Sequence, residues 1–345
     1  MYRRLNILAS YAFLQREGFF QDLLEAISPY ANVLIDSGAH SNHMIRLKKA
    51  SGKNVGGKEV TLDGYMEYLK NKAAGKVWQY ITLDVIRNRT ETDYNLQTML
   101  DKGFTPMPVY IEGYDENDIP RLLAITDRLC VAGGVGSSDK YIRRRYKSIS
   151  MLTKGKAKIH GLGYGRWPGT FYADIASCDS SSFNYGSRYG VLTRYQRDEG
   201  FDNHQWKLLS QSRNDKPEKR AMFIDYMAHR FDLTIADLTN LDLYKGKDSY
   251  LNMPTLTGCT AYLDFMKHVQ EHGKDYFIAA PSFGFVFALV AVVSADGAGS
   301  FNWKSVRDFY NEIEAARKAS PDKCLELVQE NLEKYTEWQM LPHSL

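Results

Sequence analysis

The chain has 345 residues, of which 44% are hydrophobic and 25% charged, and 44 basic against 41 acidic side chains leave a net charge of +3. This describes an ordinary soluble globule with room for one large α/β domain, or one domain plus an appendage. So small a net charge excludes any argument for a partner from global charge, and only local clusters of charge can indicate one.

The four cysteines are far apart in the sequence, at Cys130, Cys178, Cys259 and Cys324. Because no CxxC pair is present, the sequence does not support a structural zinc site or a redox motif. We therefore predict a protein of the reducing cytoplasm that needs no metal and no cofactor.

Two segments have features of leader or membrane sequences. The basic N-terminus reaches the charged pair Arg16 and Glu17 too soon for a secretory leader. The stretch 276–293 has no charged residue and is long enough to raise the question of a membrane span. Because Pro281 and Gly284 interrupt it, we expect it to be buried core and predict no membrane partner.

Short apolar runs alternate with helical patterns along the first half of the chain. The predicted strands are Asn6–Ser10, Asn32–Ser37, Tyr80–Asp84, Met107–Ile111, Leu129–Gly134, Lys158–Gly163 and Ile175–Asp179. Thr61, Thr92 and Ser138 are suitable N-caps for three of the intervening helices. This βαβα alternation predicts a parallel sheet with helical crossovers. We therefore expect an α/β fold, a TIM-like (β/α)8 barrel with an insertion and C-terminal helices, and we choose Val191–Tyr195 as the eighth strand.

The pattern changes after residue 195, which suggests three regions. Residues 1–195 are predicted to form the catalytic barrel core, and residues 196–275 an insertion that grips nucleic acid. Residues 276–345 are predicted to form a C-terminal helical region that packs on the barrel. Its last helix is well marked, with Ser320 as N-cap and Pro321 at the first helical position.

Three aspartates follow apolar segments where predicted strands end. Asp36 is followed by the small residues Ser37 and Gly38, and Asp179 lies in a run of small polar residues. Strand-end carboxylates of a parallel barrel meet at one mouth, where two of them suit displacement at a sugar carbon. An aspartate at such a place also serves to cap a turn. The third aspartate is Asp84, for which the sequence allows two roles. It either accepts hydrogen bonds from the N–H edge of a purine or forms a salt bridge with a nearby arginine.

Glycines and basic residues lie between these acids. Gly133 and Gly134 end the fifth predicted strand, where backbone N–H groups can approach a ligand or simply form a tight turn. From Lys140 to Lys158 there are eight basic residues and no acid. Such a cluster either binds phosphates or forms a solvated helix face, and the absence of any acid favours phosphate binding. The aromatic residues in or near this cluster can stack on unpaired bases; they are Tyr141, Tyr146, Tyr164, Trp167, Phe171 and Tyr172.

Asp36-Ser37-Gly38, Gly133-Gly134 and the late Asp179 stand in the order and strand context of the tRNA-guanine transglycosylases, which this chain resembles over roughly residues 30–190. The resemblance is closest to the phage and bacterial enzymes that put 7-deazaguanine bases, relatives of queuosine, into DNA. It implies a pentosyltransferase of the cytoplasm, or of the host cytoplasm if it is encoded by a phage.

The resemblance also implies roles for single residues. Asp179 would attack the anomeric carbon, and Asp36 would assist guanine departure and then take a proton from the incoming base. Asp84, together with Ser37 and Gly38, would bind the base, and the backbone of Gly133 and Gly134 its carbonyl. Independently of the resemblance, the basic cluster and the arginines that follow Asp179 indicate a set of side chains that hold the nucleic acid: Arg143, Arg144, Arg145, Lys147, Arg188 and Arg194.

The chain departs from the family pattern at three places. Glu112 stands where the family has Gln before Gly, so it either contacts the base differently or helps to select it. Ala39 and His40 replace the second glycine and the aromatic residue of the first motif. The clustered cysteines and histidine of the family's zinc site are absent, which favours DNA over tRNA as the polynucleotide.

Three alternatives stay open from the sequence. One is a tRNA-directed transglycosylase. The second is a metal-dependent barrel hydrolase, because Asp36, His40 and His43 fall close together. The third is an inactive barrel that binds nucleic acid. The particular 7-deazaguanine, the sequence context and the oligomeric state are not indicated.

Overall fold

The computed structural model describes residues 4–53, 57–132, 137–205, 217–234, 236–237, 240, 243, 251–298 and 301–340. The chain divides into two compact units. The barrel unit comprises Leu5–Ser180 and Val269–Pro281, and the helical unit comprises Ser181–His268 and Ser282–Leu345 with the start of the chain.

Among the described residues, ten strands form two sheets. They are β1 (Leu5–Ser10), β2 (Ala31–Asp36), β3 (Gln79–Tyr80), β4 (Val109–Tyr110), β5 (Arg128–Val131), β6 (Lys158–Gly161), β7 (Ser177–Ser180), β8 (Val191–Gln196), β9 (Gly200–Gln205) and β10 (Asp275–Ala279). Eight of them pair in parallel in the order β3-β2-β1-β10-β7-β6-β5-β4. Strands β8 and β9 form a separate antiparallel pair.

The two outer strands of the large sheet are joined just beyond β3 and before β4. Ile81 forms a parallel bridge with Met107. The Met107 N–H donates to the Tyr80 carbonyl at 2.8 Å, and the Thr82 N–H donates to the Met107 carbonyl at 3.1 Å. This contact closes the sheet, and the predicted TIM-like α/β barrel is confirmed.

The eighth strand is not the predicted Val191–Tyr195. That segment is a strand, but it pairs antiparallel with β9 in the helical unit. The place in the barrel between β1 and β7 is taken by β10, which pairs in parallel with both. The barrel unit is therefore continuous only as far as Ser180, and a later segment adds the strand at residues 275–279. The sequence instead predicts boundaries at residues 195 and 275.

The uncharged stretch 276–293 contains most of β10 and part of a buried helix, Phe283–Gly297. Among the described residues no helix is long and apolar enough to cross a membrane.

Helices of the barrel unit follow its strands. They are α1 (Tyr11–Leu14), α2 (Gly18–Ile27), α3 (Ala39–Ala50), α4 (Leu62–Tyr68) with a π-helical turn over Leu69–Ala73, α5 (Arg89–Asp101), α6 (Asp118–Leu123), α7 (Asp139–Leu152) and α8 (Gly169–Tyr172). Thr61 and Ser138 cap α4 and α7, as predicted. Helix α5 starts earlier than predicted because Asn88, not Thr92, accepts the N–H of Glu91.

Among its described residues, the helical unit holds the β8–β9 hairpin and several α-helices of different lengths. These are α9 (Tyr185–Tyr189), α10 (Pro217–Phe231), α11 (Met253–Glu271, whose last turn belongs to the barrel unit), α12 (Phe283–Gly297), α13 (Trp303–Ala319) and α14 (Pro321–Met340). Helix α12 is apolar and buried on nearly every side. Helices α13 and α14 are amphipathic, and each buries an apolar stripe. The stripe of α13 includes Tyr310, and that of α14 includes Leu332.

Candidate active site

The three sequence-predicted acids lie at the same end of the barrel. Asp36 ends β2, Asp84 follows the Ile81 bridge, and Asp179 lies in β7. The charge of Asp36 acts on Asp84, and that of Asp179 acts on Asp36. All three act on the buried thiol of Cys130. Parallel strands of a barrel end at one mouth, and these electrostatic interactions show that the three carboxyl groups lie near one another there.

Asp36 has an environment that favours its protonated form. Burial raises the pKa of this carboxyl, and the nearby charge of Asp179 raises it further. The Ser10 hydroxyl, on the neighbouring strand at the position paired with Asp36, and the Gly38 N–H act in the opposite direction. That N–H donates to Asp36 Oδ2 at 3.0 Å. A carboxyl whose pKa is raised in this way is better suited to carry a proton than a free aspartate is.

Asp84 is 6% exposed and carries a pKa raised to about 7. Burial is the main cause, and the charge of Asp36 adds to it. Asp84 borders a cavity of about 380 Å³ that is also lined by His43, Arg46 and Glu91. This volume is within the range of small-molecule sites, so a ligand bound in the cavity could contact Asp84.

Asp179 is buried and held through one of its two oxygens. The Gly163 N–H donates to Oδ1 at 2.8 Å. His160 Nε2 lies 3.3 Å from the same oxygen, and His160 Nδ1 lies 2.9 Å from Ser177 Oγ. His160 is 1% exposed in β6, opposite Ser177 of β7. Sequence reasoning missed His160, whose one signal was a histidine inside an apolar strand.

Ser37 and Gly38 lead from β2 into α3. Ser37 is fully buried, and its hydroxyl has no hydrogen-bond partner among the described residues. A buried hydroxyl left in this state beside Asp36 is suited to a ligand. Gly38 has a φ of +91°, and an added Cβ would come within 2.9 Å of Ala12 Cβ and 3.1 Å of Val60 Cγ2. The turn after Asp36 therefore requires glycine.

Neither a cysteine nucleophile nor a metal centre emerges at this mouth. Burial raises the pKa of the Cys178 thiol well above its usual range, so the thiol stays protonated. Within the described ranges, no group of three or more His, Cys, Asp and Glu side chains is placed to hold a metal. Asp36, His40 and His43 therefore do not form the cluster that a metal-dependent hydrolase needs.

Of the remaining predicted base contacts, the structure describes only Glu112, and it does not line the cavity at Asp84. Glu112 is exposed and pairs with Arg87 at 3.3 Å. It borders an open cavity of about 560 Å³ that shares no lining residue with the one at Asp84. Gly133 and Gly134 lie outside the described residues.

Helix α7 offers only part of the predicted basic cluster to a partner. Arg143 pairs with Asp139 at 2.7 Å. Arg145 donates to the carbonyls of Tyr110 and Ile111 at 3.3 and 3.0 Å, so its charge supports the barrel wall. Arg144 and Lys147 are exposed, and with Lys140 they stand at i, i+4 and i+7 on one helix face. This exposed face is the part of the cluster available to phosphates.

Burial corrects three further predictions. Arg194 is 4% exposed and lies 3.7 Å from Asp202, inside the helical unit, so it is not available to phosphates. Tyr146 and Tyr164 are fully buried and contact each other edge to face, so neither can stack on a base. Tyr141, Trp167, Phe171 and Tyr172 keep at least partial exposure.

Arg188 is exposed, as its predicted role requires. It lies on α9 with two exposed tyrosines, Tyr185 and Tyr189, whose ring centroids are 4.6 Å apart. Sequence reasoning overlooked this aromatic pair. Exposed aromatic rings beside a cation suit contact with unpaired bases.

Comparison with known proteins adds no family to these observations. No protein-family model matches the chain, and no curated protein does. The resemblance drawn from short motifs therefore stays a prediction, and the functional argument depends on the geometry of the three acids.

Replacing Gly38 by alanine should destabilise the protein by about 2–3 kcal/mol, since the substitution combines a left-handed φ with a clash against Ala12. Gly52 is a matched control, because its φ is +70° and nothing lies within 4 Å of an added Cβ. We expect Gly52→Ala to cost only about 1 kcal/mol. Urea unfolding of both variants measures the difference, and equal losses would contradict the role given to Ala12.

Asp84→Asn should stabilise the protein in a pH-dependent way. The unfolded chain releases this proton near pH 4 and the folded chain near pH 7, so the wild type loses stability as pH rises through that window. The variant avoids this loss and gains up to roughly 4 kcal/mol above pH 7 and nothing below pH 4.

Thermal or urea unfolding of Asp84→Asn and wild type between pH 4 and 8 tests this directly. Asp174→Asn, at an exposed position of the same unit, controls for the loss of one charge. A stability difference that does not change with pH would refute the raised pKa of Asp84.

Proposed function

We propose that the protein exchanges guanine in DNA for a 7-deazaguanine base through a covalent link between Asp179 and the sugar. One observation carries the proposal: Asp36, Asp84 and Asp179 share a barrel mouth, and each has a different environment. Base exchange needs one nucleophile, one proton carrier and one group that reads the base, and these three carboxylates suit those tasks.

In the first half-reaction a carboxylate oxygen of Asp179 bonds to C1′ of the deoxyguanosine as the C1′–N9 bond breaks. The electron pair of that bond leaves with guanine, which takes a proton from Asp36. The raised pKa of Asp36 supports this role, because burial and the charge of Asp179 make the carboxyl hold its proton more tightly than a free aspartate does.

In the second half-reaction N9 of the incoming base attacks C1′ and displaces Asp179. The proton of N9–H passes to the Asp36 carboxylate that the first half-reaction left behind. The two halves therefore use one proton carrier in opposite directions, and no cofactor is consumed.

Asp84 is assigned to reading the base. An ionised carboxylate can accept two hydrogen bonds from the N–H edge of guanine or 7-deazaguanine. Its pKa of about 7 means that base binding competes with a proton, so the base should bind more weakly below pH 7. The adjoining cavity gives the base room to enter.

The exposed face of α7, with Lys140, Arg144 and Lys147, supports a polynucleotide substrate. Arg188 with Tyr185 and Tyr189 provides a second candidate contact, in the helical unit. A base inside a duplex must be unstacked before its anomeric carbon can meet Asp179, and exposed aromatic rings favour unstacked strands.

DNA is preferred to tRNA because the clustered cysteines of the tRNA-type zinc site are missing; the four cysteines are free, buried and far apart in the sequence. A tRNA substrate remains the second candidate within the same chemistry. An inactive nucleic-acid-binding barrel would need none of the three acids, so the variants below separate it from an enzyme.

Asp179→Ala should abolish incorporation of labelled guanine into DNA and the covalent protein–DNA adduct, because it removes the attacking oxygen. Asp36→Ala should slow incorporation by at least about a hundredfold by removing the proton carrier. The measurements are label incorporation and a denaturing gel of protein incubated with guanine-containing single-stranded DNA.

The control is Asp174→Ala, at an exposed acid of the same unit, which should exchange at the wild-type rate. Running DNA and tRNA in parallel decides between the two polynucleotides. DNA binding without exchange in the wild type would instead support the inactive barrel.

The double variant Arg144→Ala, Lys147→Ala should weaken DNA binding and reduce the slope of log affinity against log salt by about 2. A matched pair, Lys304→Ala with Lys318→Ala, removes two exposed cations from α13 and should leave the slope unchanged. Fluorescence anisotropy over a salt series measures both. Equal slopes for the two double variants would remove α7 from the interface.

A further inference from the structure

The two oxygens of the Asp179 carboxylate stand in different surroundings. Oδ1 accepts the Gly163 N–H at 2.8 Å and has His160 Nε2 at 3.3 Å. Oδ2 receives no hydrogen bond from the described residues. A carboxylate held through one oxygen keeps the lone pairs of the other for a reacting atom.

His160 is fixed where it can act on Oδ1. Its ring is buried, edge-on to Phe277, with Ser177 Oγ 2.9 Å from Nδ1. Nε2 is buried without a hydrogen bond of full geometry, and the carboxylate of Asp179 is the acceptor it faces. When the Ser177 hydroxyl donates to Nδ1, the neutral ring must carry its proton on Nε2.

Two carboxyl groups lie near the His160 ring. Asp179 faces the ring from β7, and Asp275 of β10 interacts with it electrostatically. Both are acids, and neither competes with Nε2 as a donor to Oδ1. Ser177, His160 and Asp179 thus form a chain across two paired strands, β6 and β7.

We propose that Asp179 attacks through Oδ2, and that His160 is the positioning residue that holds Oδ1 with its Nε2–H while Ser177 fixes the ring. This deepens the proposed function and rests on it. Two donors on Oδ1 stop the carboxylate from rotating and direct Oδ2 to the anomeric carbon. The new bond is Oδ2–C1′, the broken bond is C1′–N9, and the proton still travels by Asp36.

A hydrogen bond to Oδ1 also serves the second half-reaction. Once Oδ2 is esterified, Oδ1 becomes a carbonyl oxygen, and it regains negative charge as the incoming base displaces the ester. Donors already placed at Oδ1 stabilise that charge without rearrangement. His160 should therefore affect both formation and breakdown of the intermediate, and not the binding of DNA.

The contact is tested first without any reaction. In protein with 15N-labelled histidine, the ring shifts of His160 should show the proton on Nε2 in the wild type. Asp179→Ala should move the Nε2 resonance, and Ser177→Ala should move Nδ1. A ring protonated only on Nδ1 would overturn the proposal whether or not the protein exchanges bases.

The second test compares two substitutions of the same residue. His160→Gln keeps an N–H close to the place of Nε2, whereas His160→Leu removes it. We expect His160→Leu to slow adduct formation on guanine-containing single-stranded DNA by about 10–100-fold with the DNA Kd within about twofold. His160→Gln should recover most of the rate, within about tenfold of wild type.

The outcomes separate the two proposals. If the wild type forms no adduct while the 15N shifts are as expected, the proposed function fails and the His160–Asp179 contact remains, without a catalytic purpose. If the wild type reacts and His160→Gln is as slow as His160→Leu, or both variants lose DNA binding in step with rate, the positioning role is refuted. Thermal unfolding of each variant identifies any that fails to fold.

Discussion

The site depends on the confinement of three carboxyl groups in one buried barrel mouth. Water can no longer stabilise all three negative charges, and each charge raises the proton affinity of its neighbour. The result is visible at Asp36 and Asp84, whose pKa values are raised by burial first and by neighbouring acids second. Asp179 has different neighbours: the Gly163 N–H donates to its Oδ1, and His160 Nε2 lies 3.3 Å from the same oxygen. Three identical side chains thus have three different environments, which is the basis for the different tasks proposed for them.

The barrel makes this confinement possible. Parallel pairing brings the carboxyl ends of β2, β3 and β7 to one face, and the Ile81–Met107 bridge keeps that face closed. Neighbouring strands then supply the groups that tune each acid: Ser10 lies opposite Asp36, and His160 lies opposite Ser177. Gly38 allows the chain to turn into α3 without pushing Ala12 away from this arrangement.

Much of this could be predicted from local pattern alone. Strands that run apolar and end in an acid locate Asp36, Asp84 and Asp179 correctly, because a buried parallel strand and its polar tip leave a plain signal in the sequence. Alternation of such strands with helices also predicts the barrel. These features depend on near neighbours in the chain.

The errors have the opposite character, since they depend on contacts between distant segments. Val191–Tyr195 has the composition of a strand, but nothing local shows that it pairs with β9 and that β10 enters the barrel. In the sequence, Arg145 and Arg194 do not differ from basic residues that are exposed. Only the packed structure shows that Arg145 donates to a backbone carbonyl of the barrel and that Arg194 is buried beside Asp202. His160 gains its meaning from Asp179, a residue on another strand.

The late arrival of β10 has a consequence for how the protein can be made. Between the end of β7 and the start of β10 the chain runs through residues 181–274, most of the helical unit. Until that excursion has been synthesised, β1 and β7 each present an unpaired edge, and unpaired edges invite wrong partners. The two units are interleaved along the chain, so the barrel is completed only after residues 181–268 of the helical unit have been synthesised, and no single cut yields either unit whole.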